Sequence, residues 1–342
     1  MPSGSWRAMP RRHQGWPHLS ELSGEPFDLA GVRAAAALIA PHVPPTPQYA
    51  WPLLARRAGC EIWVKHENHT PTGAFKVRGG LTYLDWLFGT GVTPAGLISA
   101  TRGNHGQSLA FAARLHGLPV TILVPHGNAR EKNAAMAAFG ATVIEFGHDF
   151  EAARLEAVRR AAVEGLHLVP SFHPELVRGV ATYALEFFAA AGELDAVYVP
   201  IGMGSGICAV IRVRDLLGLR TRVIGVVSDR ADAVALSLER GVLTETASAD
   251  TLADGMACRV PVQAALDVIG AGAARVVRVS DEAVAAAIRA LHEDTHNLAE
   301  GAGAAGLAAV LSEPDAVAGK RIGIILCGGN IDRAVAARIL AA

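Results

Sequence analysis

Two lysines lie eleven residues apart in the segment KHENHTPTGAFKVRGG, in different local patterns. The chain has 342 residues, and of its 31 lysines and arginines only four are lysines, at positions 65, 76, 132 and 320. An arginine guanidinium stays protonated, whereas a lysine amine can lose its proton and form an imine with a carbonyl group. A lysine kept in so arginine-rich a chain is therefore a candidate for carbonyl chemistry, with a plain surface charge as the alternative for each.

The local pattern separates these lysines. Lys65 belongs to the extended segment EIWVKHE, which predicts a strand and a place in the scaffold. Lys76 follows a Gly-Ala-Phe turn into a helix, where a cofactor could approach closely. The nearby His66 and His69 are predicted to be solvated side chains at a strand end rather than a catalytic pair. Lys132 is predicted to solvate a helix start, with a place in the site as the alternative.

A glycine-bearing turn in SATRGNHGQSLAFAAR leads from a predicted strand into a predicted helix. Asn104, His105 and Gln107 lie at or just inside the start of that helix, after Gly103. Free backbone N–H groups at a helix start bind anions, and here they suit a carboxylate. The alternative is an ordinary helix cap.

A second turn, in AVYVPIGMGSGICAVI, places Gly202, Gly204 and Gly206 with Ser205 between a strand and a helix. Such a loop lets backbone N–H groups close on a phosphate. It could also bind a dinucleotide, since Asp229 follows the next strand, but Gly-x-Gly-x-Gly lacks the Gly-x-Gly-x-x-Gly spacing of that fingerprint. A nicotinamide-dependent oxidoreductase is therefore the alternative from a different class.

A third turn, IILCGGNID, places Cys327 at the end of a strand that the pattern predicts to be buried. A buried cysteine is most often a small core side chain. Together with the candidate lysine, the carboxylate turn and the phosphate loop, it completes the set of groups that an aldehyde cofactor with a phosphate requires. That cofactor is pyridoxal 5'-phosphate.

The elements that carry these turns are apolar strand patterns alternating with helical ones, which predicts an α/β fold with a mainly parallel, helix-covered sheet. With 51% hydrophobic and 18% charged residues, the chain has ample material for the cores of two domains or subdomains. A net charge of -1 and scattered basic residues give no support for nucleic acid as a partner. No apolar run reaches the roughly 20 residues of a membrane span.

The N-terminus has arginines but no apolar central region, so it does not resemble a secretory signal. The four cysteines lie far apart without a Cys-x-x-Cys pair, which favours reduced thiols in a cytoplasmic protein and argues against a zinc site.

On these motifs, the chain resembles the fold-type II pyridoxal-phosphate enzymes, in the threonine/serine dehydratase (ammonia-lyase) and serine racemase branch. The family pattern Lys-x-Glu-Asn followed by Gly-(Ser/Ala)-Phe-Lys-x-Arg-Gly is met by Lys65, Glu67, Asn68, Gly73, Ala74, Phe75, Lys76, Arg78 and Gly79. The resemblance runs from about residue 40 to the C-terminus and covers the catalytic domain only. It implies two open, twisted, mainly parallel sheets with helices on both faces.

The resemblance also implies a role for each site residue. Lys76 would be the lysine of the Schiff base with pyridoxal 5'-phosphate, with Phe75 beside the ring and Asn104 on the phenolic oxygen. The cofactor phosphate would lie on Gly202, Met203, Gly204, Ser205 and Gly206. Cys327 would face the pyridine nitrogen, Glu300 would lie near the cofactor, and the substrate carboxylate would lie on Arg102, Gly103, Asn104 and His105.

The implied reaction is β-elimination of water from a 3-hydroxy-2-amino acid, with Lys76 removing the Cα proton and a 2-oxo acid and ammonia as products. A neutral thiol opposite the ring nitrogen makes the cofactor a weaker electron sink, which suits β-elimination better than transamination. Threonine, serine, hydroxyaspartate, phenylserine and a hydroxyectoine-derived amino acid all remain open as substrates. A β-replacement synthase and a serine racemase are the alternatives within the fold.

Departures from the family pattern narrow these expectations. Arg102 stands where serine racemases carry a second acid/base serine, which argues against racemisation; it could read a second anionic group on the substrate or face outward. Val227 and Ala233 stand where acids of the branch's divalent-cation site are expected, so no metal is predicted. The chain ends soon after Cys327, so no regulatory domain with isoleucine feedback is expected.

The predicted division is a tail at residues 1–20, a large domain at 20–95 and 173–342, and a small mobile domain at 96–172. The protein is expected to be a soluble, cytoplasmic homodimer that acts in amino-acid catabolism. Its expected ligand, besides the cofactor, is a small amino acid substrate.

Overall fold

The computed structural model describes residues 27–342, and the predicted tail at residues 1–20 lies outside the described residues. The strands of the described chain are β1 (Gln48–Ala50), β2 (Glu61–His66), β3 (Leu97–Ala100), β4 (Val120–Val124), β5 (Ala141–Glu145), β6 (His167–Leu168), β7 (Ala196–Pro200), β8 (Arg222–Ser228), β9 (Arg275–Val279) and β10 (Arg321–Leu326). Its helices are α1 (Leu29–Ile39), α2 (Pro52–Ala58), α3 (Lys76–Gly89), α4 (Asn104–Leu115), α5 (Arg130–Ala138), α6 (Phe150–Glu164), α7 (Pro174–Ala191), α8 (Ser205–Leu216), α9 (Ala233–Arg240), α10 (Gln263–Gly272), α11 (Asp281–Thr295), α12 (Gly301–Leu311), α13 (Pro314–Val317) and α14 (Arg333–Leu340).

The strands form two sheets. The six-stranded sheet has the order β1-β2-β10-β7-β8-β9, and only the short β1 runs antiparallel to its neighbour. The four-stranded sheet has the order β5-β4-β3-β6, with all strands parallel. Every residue of β3 is buried, and all but Ser99 are apolar, as expected for a strand of a sheet covered on both faces. The predicted mainly parallel, helix-covered architecture is confirmed.

The parallel strands bring the three predicted turns to the carboxyl ends of β3, β7 and β10. Ligands in open α/β folds bind at this end of the strands. Helices α4 and α8 begin at Asn104 and Ser205, directly after the two glycine-bearing turns that the sequence predicted to lead into helices. The crossover from one sheet to the other therefore places a carboxylate-type turn and a phosphate-type loop on one cleft.

Helix α7 begins at Pro174, where the side chain of His173 caps it by accepting a hydrogen bond from Glu175 N. Strand β9 lies at the edge of its sheet, and most of its residues are only partly buried.

Lys65 lies fully buried on β2, as its extended pattern predicted. Its Nζ donates to Glu186 Oε2 at 2.6 Å and to Thr46 O at 2.8 Å. The prediction of a solvated His66 is wrong, because this ring is buried and accepts a hydrogen bond from Trp51 Nε1 at 3.0 Å. Both side chains belong to the scaffold beneath the cleft.

Candidate active site

One cleft contains every residue that the sequence predicted for the site. It is lined by residues that follow strands of both sheets and encloses about 920 Å³ of empty space up to its open mouth. The predicted residues on its wall are Phe75, Lys76, Arg102, Gly103, Asn104, His105, Gly202, Met203, Gly204, Ser205, Gly206, Glu300 and Cys327.

Lys76 is the first residue of α3 and extends into this cleft. Its Nζ donates a hydrogen bond to Ser205 Oγ at 2.8 Å and lies 5.0 Å from the centre of the Phe75 ring. No carboxylate of the described chain forms an ion pair with it. Burial lowers the pKa of Lys76 to about 8, so a useful fraction of the amine is unprotonated near neutral pH.

The loop before α8 forms a cradle of backbone groups. Gly204 has φ +99°, and α8 begins at Ser205 with no side chain capping its first N–H groups. A Cβ at Gly202 would lie 2.4 Å from Gly255 O, and one at Gly206 would lie 3.7 Å from the Phe75 ring. The close approach at Gly202 and the positive φ of Gly204 require glycine, whereas the contact at Gly206 is an ordinary one. Open N–H groups at the positive end of a helix dipole fit the phosphate of the predicted cofactor.

The turn before α4 forms a second cradle of backbone groups on the wall of the same cleft. Gly103 has φ +148°, and a Cβ there would lie 2.5 Å from Lys132 Cδ. Helix α4 also lacks a side-chain cap, so its first N–H groups are available to an anion. Burial lowers the pKa of His105 to about 3, helped by the nearby Lys76, so this ring is neutral. Its buried Nε2 has no hydrogen-bond partner within residues 27–342.

A buried polar network joins the two sides of the cleft. Asn104 Nδ2 donates to Glu300 Oε1 at 2.6 Å, and Lys132 Nζ donates to Glu300 Oε2 at 2.9 Å and to Asp254 Oδ2 at 2.7 Å. Burial lowers the pKa of Lys132, but the charges of Glu300 and Asp254 outweigh this and raise it above its ordinary value. Burial raises the pKa of Glu300, against the opposing effect of Lys132.

Sequence reasoning missed Asp254 and gave Lys132 a place in the site only as the alternative. The prediction that Lys132 solvates a helix start is wrong, since its side chain is only 4% exposed and is held by two carboxylates, and the alternative agrees with its position on the wall of the cleft. The scarcity of lysine, which singled out Lys76, was the signal that could have found it. Asp254 is 122 residues further along the chain, and no local pattern connects the two.

Asn330 fixes the orientation of Asn104. Its Nδ2 donates to Asn104 Oδ1 at 2.9 Å and to Thr72 O at 2.8 Å. The amide nitrogen of Asn104 therefore points to Glu300 and keeps one N–H for a ligand in the cleft. This remaining donor fits the phenolic oxygen of the predicted cofactor.

Cys327 follows β10 at the floor of the cleft and is 5% exposed. Burial, with a contribution from the charge of Glu300, raises the pKa of its thiol well above the ordinary value. The side chain is neutral, so it offers no negative charge that would hold a proton on a pyridine nitrogen.

Within residues 27–342, no group of three or more His, Cys, Asp or Glu side chains is arranged to hold a metal ion. None of the described helices is long and apolar enough to span a membrane. The four cysteines are all free and buried.

Comparison with known proteins gives consistent matches over most of the chain. A family model described as "Pyridoxal-phosphate dependent enzyme" matches residues 39–328. The chain is 34% identical to L-threonine ammonia-lyase of Thermotoga maritima, over 84% of this chain and 72% of that protein. It is 30% identical to beta-hydroxyaspartate dehydratase of Paracoccus denitrificans, over 87% of this chain and 95% of that protein. The crystal structure of a threonine deaminase from T.th. superposes with a TM-score of 0.83 at 30% identity, over 90% of this chain and 99% of that one.

Proposed function

The chain belongs to the family of pyridoxal-phosphate dependent enzymes, and from this premise we propose that the cleft is the active site of a hydroxy amino acid dehydratase. The fold is of type II, and the enzyme is a lyase that uses pyridoxal 5'-phosphate to convert a 3-hydroxy-2-amino acid to a 2-oxo acid and ammonia. The observation that carries this function is the Lys76 amine, with its lowered pKa, facing an uncapped glycine loop across the cleft.

The residues present fit the cofactor, because each of its polar groups has a matching partner. The N–H groups from Gly202 to Gly206 would hold the phosphate, and the free N–H of Asn104 would meet the phenolic oxygen. Cys327 would face the ring nitrogen and Phe75 would lie beside the ring. When bound, pyridoxal 5'-phosphate supplies an aldehyde for the amine and an electron sink for the charge released at Cα.

Lys76 has two tasks in this proposal, both at Nζ. The unprotonated amine would hold the aldehyde of the cofactor, and after its release by substrate the same amine would take the Cα proton. Ser205 Oγ accepts a hydrogen bond from Nζ at 2.8 Å and would help to orient it. The neutral Cys327 thiol would place no negative charge at the ring nitrogen, which would favour loss of the β-hydroxyl over transamination.

The turn at Gly103, Asn104 and His105 would bind the substrate carboxylate through the uncapped start of α4. We propose that the protein has a large domain at 20–95 and 173–342 and a small domain at 96–172. The small domain would close on substrate. Lys132 with Asp254, and Arg259 with Asp149 at 2.8 Å, are ion pairs that cross between these segments. Closure would exclude water from the reacting groups.

The test begins with the purified protein and added cofactor. A visible absorption band that borohydride removes, and a cofactor adduct that peptide mass mapping places on Lys76, are expected. Release of 2-oxo acid and ammonia is then measured over serine, threonine, 3-hydroxyaspartate and phenylserine. A protein that stays colourless, or an adduct on another lysine, would overturn the assignment of the site.

Three further properties are proposed for the protein, namely its compartment, its oligomeric state and its metabolic role. A reducing cytoplasm suits four free, buried cysteines. A homodimer and a role in amino-acid catabolism are expected from the family resemblance. Gel filtration with light scattering tests the dimer, and a monomer at all concentrations would contradict it.

A further inference from the structure

Arg102 is a cation of the cleft for which residues 27–342 supply no counter-charge. It precedes Gly103 on the carboxylate-type turn, lines the cleft and is partly buried. Its Nε is buried, and none of residues 27–342 offers this nitrogen a hydrogen-bond acceptor. A buried donor without a partner is costly, and it points to an acceptor supplied from outside the chain.

The other cations of the cleft are accounted for. Lys132 is neutralised by Asp254 and Glu300 within 3 Å, and Lys76 is the amine that the cofactor occupies. Arg102 remains protonated at any physiological pH. On the described wall of the cleft, Arg102 is therefore the one permanently charged cation that neither forms an ion pair nor has a role in the proposed cofactor site.

Arg102 is adjacent to the turn that would bind the α-carboxylate of the substrate, so an acceptor for Arg102 would lie close to that carboxylate. Adjacent residues have Cα atoms about 3.8 Å apart. An amino acid whose α-carboxylate lies on the N–H groups after Gly103 therefore has its β-substituent within reach of the neighbouring arginine. In a four-carbon dicarboxylic amino acid the two carboxyl carbons are three bonds apart, which is a comparable separation.

We propose that Arg102 binds a second carboxylate on the β-carbon of the substrate, and that the enzyme prefers a 3-hydroxy dicarboxylic amino acid of the 3-hydroxyaspartate class. This inference rests on the proposed dehydratase function. A guanidinium fork matches a carboxylate in a bidentate, charge-assisted pair. The methyl group of threonine would instead bury the guanidinium without offering it a hydrogen-bond acceptor. Burying an unpaired charge costs free energy, so threonine should bind less well.

Selectivity between two substrates is the first measurement. Steady-state kcat/KM for 2-oxo acid release is determined for 3-hydroxyaspartate and for threonine with the holoenzyme and with R102Q, R102K and R114Q. Arg114 lies exposed on the same helix α4, so R114Q makes the matched change of charge outside the cleft. The ratio of the two kcat/KM values should favour 3-hydroxyaspartate in the parent enzyme.

In R102Q that ratio should fall by about 10- to 100-fold, chiefly through KM for 3-hydroxyaspartate, because one charge-assisted pair is lost. R102K keeps the charge without the fork and should retain an intermediate ratio. R114Q should keep the ratio of the parent enzyme. Circular dichroism and the thermal unfolding midpoint confirm that each variant is folded.

Binding of unreactive acids provides a readout that does not depend on turnover. Calorimetry of the holoenzyme should give a Kd for succinate about 10-fold lower than that of R102Q, whereas butyrate, with one carboxylate, should distinguish the two proteins much less. R114Q should bind succinate like the parent enzyme. Equal succinate affinity in the parent and R102Q would overturn the proposal.

The outcomes separate this inference from the function on which it rests. If the parent enzyme dehydrates threonine at least as well as 3-hydroxyaspartate, or if R102Q lowers both kcat/KM values by the same factor, the role of Arg102 is wrong and the dehydratase stands. If neither amino acid yields a 2-oxo acid with coloured holoenzyme, the dehydratase is wrong. In that case the succinate titration alone decides whether Arg102 binds a second carboxylate.

Discussion

Lys65 and Lys76 lie eleven residues apart, on β2 and at the start of α3, but of the two only Lys65 has carboxylate partners among residues 27–342. Lys65 is fully buried and donates to Glu186, Thr46 and Gln48. Lys76 has one neutral acceptor, Ser205 Oγ. A carboxylate partner favours the charged form of a lysine, whereas a neutral hydroxyl opposes loss of the proton much less.

The environment of Lys65 extends into a network that includes a second cation. Arg78 Nε donates to Glu67 Oε2 at 2.8 Å and Arg78 Nη1 to Glu186 Oε1 at 2.7 Å. Burial lowers the pKa of Lys65, and the charges of Glu67 and Glu186 oppose this shift without cancelling it. Lys76 has no such carboxylates beside it, and burial brings its pKa to about 8. Burial therefore lowers the pKa of both lysines, and the carboxylate partners of Lys65 are what distinguish the structural lysine from the reactive one.

The largest expected effect is on catalysis at Lys76. Lys76→Ala should lower kcat for 2-oxo acid release by at least about 10⁴-fold, because both the amine that joins the cofactor and the general base are lost. Lys76→Arg should be equally inactive, since a guanidinium keeps the charge but neither forms an imine nor gives up its proton. Rapid-mixing and steady-state assays measure the loss. A K76A enzyme that kept the parent rate would show that Lys76 is not the reactive lysine.

The next effect falls on stability at Lys65. Lys65→Met should lower the free energy of unfolding by about 3 kcal/mol, because Glu186 and the Thr46 carbonyl lose a buried donor. Urea unfolding measures this change. The folded fraction should keep kcat within about 3-fold of the parent value, as a scaffold residue outside the cleft requires. Unchanged stability combined with lost activity would show that Lys65 is not a purely structural lysine.

Local patterns were enough to distinguish these lysines from the sequence. A strand pattern around Lys65 and a glycine turn into a helix at Lys76 are set by neighbours in the chain, and so are the starts of α4 and α8 at Asn104 and Ser205. Parallel strands then bring such turns to one edge, which is why the wall of the cleft could be predicted. The α/β fold was predictable for the same reason.

Contacts between distant segments could not be predicted in this way. Lys132 has the local pattern of a solvated helix residue, and only the approach of Asp254 and Glu300, 122 and 168 residues away, makes it a buried cation. His66 looked solvated for the same reason, since its cover comes from Trp51 on a neighbouring element. Charge compensation is a tertiary property, so a sequence pattern can nominate a lysine but cannot show whether a carboxylate holds its proton.

The smallest expected effect is a dependence of stability on pH in the cofactor-free protein. Lys76 has a pKa of about 8 when folded, below its ordinary value of 10.5, so between these pH values the unfolded chain holds a proton that the folded chain has lost. The free energy of unfolding should therefore rise with pH across this window. Lys76→Met removes the proton and the rise with it, and groups shared by both proteins cancel in the difference.

Urea unfolding of both proteins from about pH 7 to about pH 10.5 measures that difference. It should move in favour of the parent protein by on the order of 1 kcal/mol, a value kept small because the side chain faces the open cleft. Parallel profiles would mean that Lys76 is as well compensated as Lys65, and the amine would then lack the property on which its chemistry depends. A rise confined to the window from about pH 8 upward would instead assign the uncompensated charge to Lys76 without any reference to turnover.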